Sequence, residues 1–267
     1  MNRREHESSA LWRRLLAEFL GSAFLAAIVI GSGIAAQRYS PNDIGLELFE
    51  NAAATAAGLF AIILMFGPVS GAHFNPVVSL VDAAFGGLRW RTAMWYLPAQ
   101  CAGCITGAII ANLMFSDAAV SFSTHQRGTG AHFLSEIVAT VGLILVIFAL
   151  ARSGRGRTAP AAVGAYIGAG YFFTSSTSFA NPAIAVGRMF SDTFAGISPS
   201  SVPIFVSAEV VGGVLAFAII KALYPGVSAN EAADVVVPHH DSSSAALDGK
   251  VARTIDSARP SLIKERP

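Results

Sequence analysis

The sequence predicts an all-α membrane protein with six transmembrane helices plus two half-helices in an inverted repeat. Three observations carry that prediction. The 267 residues are 53% hydrophobic and only 13% charged, whereas a soluble domain carries roughly 25% charged residues. Six apolar segments, at about 11–36, 47–69, 91–115, 131–151, 159–177 and 200–223, each approach the roughly 20 residues that a helix needs to cross hydrocarbon. Two shorter stretches, Gly71-Ala72-His73-Phe74-Asn75-Pro76-Val77 and Ser178-Phe179-Ala180-Asn181-Pro182-Ala183, share one pattern of small residues, Asn-Pro and a short apolar run.

Each Asn-Pro reads as the start of a helix. Asn is a good N-cap, and proline, with no N–H and a pre-set φ, suits the first turn. The runs that follow, 76–85 and 182–190, are too short to cross a bilayer. Two interrupted segments in corresponding places of two halves point to inverted repeats with a site at the midplane.

Taken in order, residues 1–10 form a polar cytoplasmic segment and 11–225 the membrane domain. Helix 1 carries Ala17-Glu18-Phe19, and Gly67-Pro68 is expected to end helix 2. Gly86-Gly87 suits the stop of the first half-helix. In the second half Ser135-Glu136-Ile137 answers Ala17-Glu18-Phe19. Ala208-Glu209-x-x-Gly212-x-x-x-Ala216 answers Ala99-Gln100-x-x-Gly103-x-x-x-Gly107. The matches define repeats at about 11–115 and 131–224. Each has three spans, an odd number, so the halves insert with opposite topology. Small-x-x-x-small spacing lets helices approach closely in lipid. After Pro225 the chain turns polar, and 226–267 reads as a disordered cytoplasmic tail in which His239-His240 is solvated.

The net charge of +1 says nothing about nucleic acid, but no basic face interleaves with aromatics, so no nucleic-acid partner is expected. Arg3, Arg4, Arg13, Arg14, Arg89, Arg91, Arg152, Arg155, Arg157 and Lys221 fall at one set of helix ends. The positive-inside rule then places both termini and the 152–158 loop in the cytoplasm. The first apolar run lacks a signal-peptide cleavage pattern. Cys101 and Cys104 both lie in a predicted membrane helix, so no disulfide framework is implied. No ligand cluster or nucleophile–base set appears, which argues against a metal, a cofactor or an enzyme.

Two half-helices meeting nose to nose would each present about half a positive charge and several unpaired N–H groups. Asn75 and Asn181 would add amide donors at the same spot. Irregular backbone at membrane depth is tolerated where its carbonyls line a wet cavity or are buried in protein, which assigns Gly71, Ala72, His73, Phe179 and Ala180 to a carbonyl-lined path. Such a path repels cations and protons while neutral hydroxylated solutes pass.

Over about residues 11–224 the chain resembles the aquaporin (major intrinsic protein) family. The resemblance rests on Ala17-Glu18-Phe19, His73-Phe74-Asn75-Pro76-Val77, Ser135-Glu136 and Asn181-Pro182-Ala183. It implies an hourglass fold in the lipid bilayer, one pore per subunit and a homotetramer. Val77 stands where the family usually has alanine. By residue counting, the family's outer constriction falls on Thr55, Ala169, Ser178 and Ile184, with Ile184 replacing an arginine. Small and apolar side chains there imply a wider opening without strict water selectivity. Arg188, one turn further on, either reaches back to the constriction or ties the external loop through Asp192 or a carbonyl. Thr55, Ile184, Arg188 and the runs 178–183 and 191–197 are similar to bacterial aquaglyceroporins associated with arsenic resistance. That similarity implies an inner-membrane channel for arsenite as neutral arsenous acid, glycerol and some water. A mainly water or glycerol channel and an ion-coupled transporter are the alternatives.

Some residues carry two readings. Membrane-buried carboxylates suggest a functional site by default, whereas the family resemblance makes Glu18 and Glu136 a scaffold for loop N–H groups. Glu209 is left open. His73 is expected to be a buried, hydrogen-bonded loop residue. Cys101 and Cys104 either fill a helix interface or form a thiol site for trivalent arsenic. Phe172, Phe173 and Phe179 either line the outer half of the pore or pack against neighbours.

Overall fold

A computed structural model of the chain describes residues 3–224, in which eight α-helices and two 3-10 turns occur and no strand. The first half comprises α1 (Arg3–Tyr39), α2 (Ile44–Ser70), the short α3 (Pro76–Phe85) and α4 (Trp90–Met114). The second half repeats that order as α5 (Gly130–Arg152), α6 (Ala159–Phe173), the short α7 (Pro182–Arg188) and α8 (Val202–Leu223). Five of the long helices are by themselves apolar and long enough to cross a membrane. The sixth, α6, has 15 residues and follows a 3-10 turn at Gly156–Thr158. The tail expected over 226–267, with His239 and His240, lies outside the described residues.

Several boundaries differ from the sequence reading. Helix α1 begins at Arg3, inside the polar 1–10 stretch. Pro68 does not end α2, because a proline forfeits one backbone donor and the ladder resumes after it. The helix runs on to Ser70 and stops at Gly71, whose φ of 88° turns its N–H onto the Gly67 carbonyl. Helix α6 ends at Phe173 and not near 177, since Thr174 becomes extended and its Oγ1 donates to the Gly170 carbonyl at 2.7 Å.

Apolar side chains give helices in lipid no reason to associate, so close backbone contact does it instead. Helix α1 packs on α2 and α4, and α5 packs on α6 and α8. At the α1–α4 crossing a Cβ on Gly103 would sit 2.3 Å from the Phe19 carbonyl oxygen, and one on Gly107 would sit 2.1 Å from that of Ala23. Gly212 plays the same part between α8 and α5, against the Ile137 carbonyl and Thr140. Cys104 belongs to this packing: its Cβ lies beside Gly187 of α7, and its Sγ donates to the Ser22 carbonyl at 3.6 Å.

The half-helices tie the two repeats together. Helix α3 packs on α4 of its own half and α8 of the other, while α7 packs on α8 and on α4. At the end where α3 stops, Arg152 lies 4.5 Å over the Phe85 ring and Lys221 4.6 Å over Phe217, and these two rings stack at 4.5 Å. Arg14 joins the same end by donating to the Tyr96 hydroxyl at 2.9 Å.

Gly107→Ala places a methyl group against a backbone oxygen that cannot move alone. It is expected to cost about 1–3 kcal/mol or more, read as a lower unfolding temperature in detergent, whereas Gly130→Ala, in open space, leaves stability unchanged.

Candidate functional site

Both short helices begin as their sequences require. Asn75 is extended (φ −150°) and its Oδ1 accepts the Val77 N–H at 2.9 Å, with Pro76 in the first turn. Asn181 (φ −159°) accepts the Ala183 N–H at 3.0 Å ahead of Pro182. Each amide nitrogen then crosses to the other loop. Asn75 Nδ2 donates to the Ala180 carbonyl at 2.6 Å, and Asn181 Nδ2 donates to the Phe74 carbonyl at 2.8 Å. The two half-helix N-termini are therefore latched to each other.

The loops that precede them share one backbone path. Gly71, Ala72 and Phe74 have positive φ, and so do Thr177, Ser178 and Ala180 in the same order. A non-glycine residue held there costs of order 1–3 kcal/mol, so something must hold the path in place. In the first loop it is Glu18. Its fully buried carboxylate accepts the His73 N–H (3.0 Å), the Phe74 N–H (2.7 Å), the Ser70 hydroxyl (2.6 Å) and the Gln100 amide (2.7 Å). Glu136 accepts the Phe179 N–H at 3.0 Å and the Ala180 N–H at 2.7 Å. Glu209 accepts the Asn181 N–H at 2.9 Å.

Around the latch lies a cavity with mostly apolar walls. Leu25 and Val29 of α1, Leu59 and Ile63 of α2, Leu143 and Ile147 of α5, and Val163 and Ile167 of α6 form them. The polar lining comes from Thr55, His73, Asn75, Tyr171, Ser178 and Asn181, and Ala72, Phe179 and Ile184 also face the cavity. Ser178 Oγ is buried with no hydrogen-bond partner.

Of the four expected constriction residues, Thr55, Ser178 and Ile184 line this cavity and Ala169 does not. Ala169 is exposed on the outer face of α6. Val163, Ile167 and Tyr171 recur at every fourth position and share the cavity face, which turns a residue two positions away to the far side. Tyr171, 3% exposed, is the α6 residue that faces the cavity beside Thr55, and its hydroxyl lies 3.1 Å from Thr55 Oγ1.

Comparison with known proteins gives the arrangement a family. The model of the major intrinsic protein family matches residues 5–190. The chain belongs to the major intrinsic protein family. It is 47% identical over 211 residues to the aquaglyceroporin AqpS of Rhizobium meliloti (strain 1021), covering 79% of this chain and 90% of that one. It is 32% identical over 220 residues to the glycerol uptake facilitator protein of Pseudomonas aeruginosa, covering 71% and 77%. The X-ray structure of the aquaglyceroporin from Plasmodium falciparum shares the fold, with a TM-score of 0.59 at 20% identity over 80% of this chain and 98% of that one.

Against the family pattern, the departures have local explanations. Val77, in place of alanine, is accommodated by Gly213 of α8, where a Cβ would lie 2.5 Å from Val77 Cγ1. Arg188 is 2% exposed; its Nε donates to the Ala195 carbonyl, and its guanidinium carbon lies 3.6 Å from the Phe179 ring centroid. Of the two readings of Arg188, the loop tie through a carbonyl is the one observed. Asp192 pairs elsewhere: its carboxylate accepts the Thr124 N–H at 2.8 Å, which holds it below the usual carboxylate range. Arg127 supports the same loop through the Gly196 and Phe194 carbonyls.

Three residues carry roles that sequence reading missed. Tyr171 is one. Asp82 is another, buried on α3 with its Oδ2 3.4 Å from His73 Nε2, while His73 Nδ1 lies 3.1 Å from Ser79 Oγ. Gly213 is the third. Phe179 is buried and faces the cavity, whereas Phe172 and Phe173 are exposed on the outer surface.

Glu18→Ala leaves the His73 and Phe74 N–H groups without acceptors. At about 1–3 kcal/mol for each buried orphan, the variant is expected to unfold at markedly lower temperature in detergent, whereas Glu50→Ala, which loses only a bond to Ser40, does not.

Proposed function

We propose that the chain is a passive channel for small neutral hydroxylated solutes: glycerol, arsenite as arsenous acid, and some water. Ions and protons are excluded. The observation that carries this reading is the lining beside the asparagine latch. Thr55, Tyr171 and Ser178 offer hydroxyls while Ile184 offers an apolar wall. A polyol has hydroxyls on one side and carbon on the other, so both of its faces are met. Arsenous acid is uncharged at neutral pH and presents three hydroxyls in a similar volume. Two relatives are named for glycerol or as an aquaglyceroporin, which supports the same substrate class.

Exclusion of cations follows from the latch. Two helix N-termini and two asparagine amides place positive potential at the centre, and apolar walls offer a cation nothing in exchange for its water. Protons are stopped because a water accepting from both asparagines cannot pass a hydrogen along the file. The pore acts in a homotetramer, one pore per subunit, in a bacterial inner membrane with both termini cytoplasmic. The clustering of Arg14, Arg152 and Lys221 at one end supports that orientation.

One observation favours a second reading. His73, with Asp82 behind it, faces the cavity and is a titratable group of the kind an ion-coupled transporter needs. An uncoupler that abolishes uptake supports that reading; unchanged uptake supports the channel.

Stopped-flow flux in proteoliposomes tests the proposal. Glycerol and arsenous acid are expected to cross well above the protein-free rate, and Ile184→Arg is expected to lower glycerol flux roughly tenfold, equivalent to about 1.4 kcal/mol. Fast water with neither solute moving overturns the assignment.

A further inference from the structure

In both repeats a buried glutamate accepts two consecutive loop N–H groups, but its further partners differ. In the first repeat the Glu18 carboxylate receives four hydrogens: one from the Ser70 hydroxyl, two from the loop N–H groups of His73 and Phe74, and one from the Gln100 side-chain amide. In the second repeat Glu136 receives the equivalent loop pair, from the Phe179 and Ala180 N–H groups. The fourth place, Gln100 in the first half, is occupied by Glu209. Glu136 accepts the Ala180 N–H and Glu209 accepts the next one, that of Asn181, so the two carboxylates lie side by side, and both side chains are fully buried.

An ionised carboxylate only accepts, so two ionised carboxylates in contact cannot reproduce the Gln100–Glu18 bond. Two adjacent negative charges out of water also repel strongly enough that one of them keeps a proton. Glu209 already accepts the Asn181 N–H through Oε1, while its Oε2 receives no donor. One added hydrogen on Oε2 satisfies both conditions. We propose that Glu209 is a neutral carboxylic acid that donates its hydrogen to Glu136, and so acts as a positioning residue for the second Asn-Pro loop. It fixes Asn181 from behind while Glu136 fixes Phe179 and Ala180.

The surrounding charges fit that assignment. The Arg127 and Arg188 guanidinium groups both lie over the ring of Phe179, whose N–H Glu136 accepts. With one negative charge on the pair, the cluster keeps a net positive sign near the asparagine latch; two would cancel it.

The test is infrared difference spectroscopy on the purified full-length protein at neutral pH, combined with glycerol flux. The carbonyl stretch of an un-ionised carboxylic acid is expected in the wild type and lost in Glu209→Gln. That variant supplies the hydrogen from an amide, as Gln100 does, so its flux should stay within about twofold of wild type. Glu209→Leu, which has no hydrogen to give, is expected to lose about tenfold in flux or to fail to assemble. No lost band in Glu209→Gln, or a Glu209→Gln protein that does not fold or conduct, overturns the proposal. The flux arm rests on the channel reading, whereas the spectral arm does not, so failure of one is distinguishable from failure of the other.

Discussion

Backbone amides at membrane depth have no water to bond, and two fully buried glutamates supply what water cannot. Glu18 and Glu136 each accept two consecutive loop N–H groups. A hydrogen bond to a charged acceptor contributes about 1.5–3 kcal/mol. That is enough to hold Ala72, Phe74, Ser178 and Ala180 in a left-handed conformation that side chains with a Cβ otherwise avoid. Without those carboxylates the loops would relax toward ordinary turns. The asparagines would lose their reach to the opposite carbonyls, and the half-helices would no longer face each other.

The rest of the chain serves this arrangement. Glycines at the α1–α4 and α5–α8 crossings bring α1 and α5 close to their partners, which places Glu18 and Glu136 behind the loops. Tyr96 caps the first loop by donating to the Ser70 carbonyl, and Arg14 holds the Tyr96 hydroxyl in turn. On the other side Phe179 is fixed by Arg188 and by an edge-on contact with Phe205. Apolar cavity walls then leave the few polar groups near the latch as the ones a solute meets.

Much of this was legible in the sequence because it rests on local chemistry. Asn-Pro after small residues specifies a helix start, and both starts occur where the pattern puts them. The repeat-related Glu18 and Glu136 each accept two loop N–H groups. Ala169 shows where legibility ended. Counting back from Asn181 locates a position along the chain, but which face of α6 it takes depends on where that helix stops, and Thr174 stops it early. The Pro68 break failed for a related reason, since a helix end is decided by what the last carbonyls can bond. Asp82 gave no signal at all: a single carboxylate in a short apolar run shows its partner only when the loop folds back over it.

The meeting of the two half-helices depends on the reciprocal bonds between Asn75 and Ala180 and between Asn181 and Phe74. A double-mutant cycle on unfolding free energy in detergent, using Asn75→Asp, Asn181→Asp and the pair, measures that dependence directly. Aspartate keeps the N-cap acceptor and removes the crossing donor. If the loops are latched to each other, the second substitution costs less once the first is in place, with a coupling above about 1 kcal/mol. Additive losses, equal within about 0.5 kcal/mol, would show that each loop stands alone and would contradict the latch.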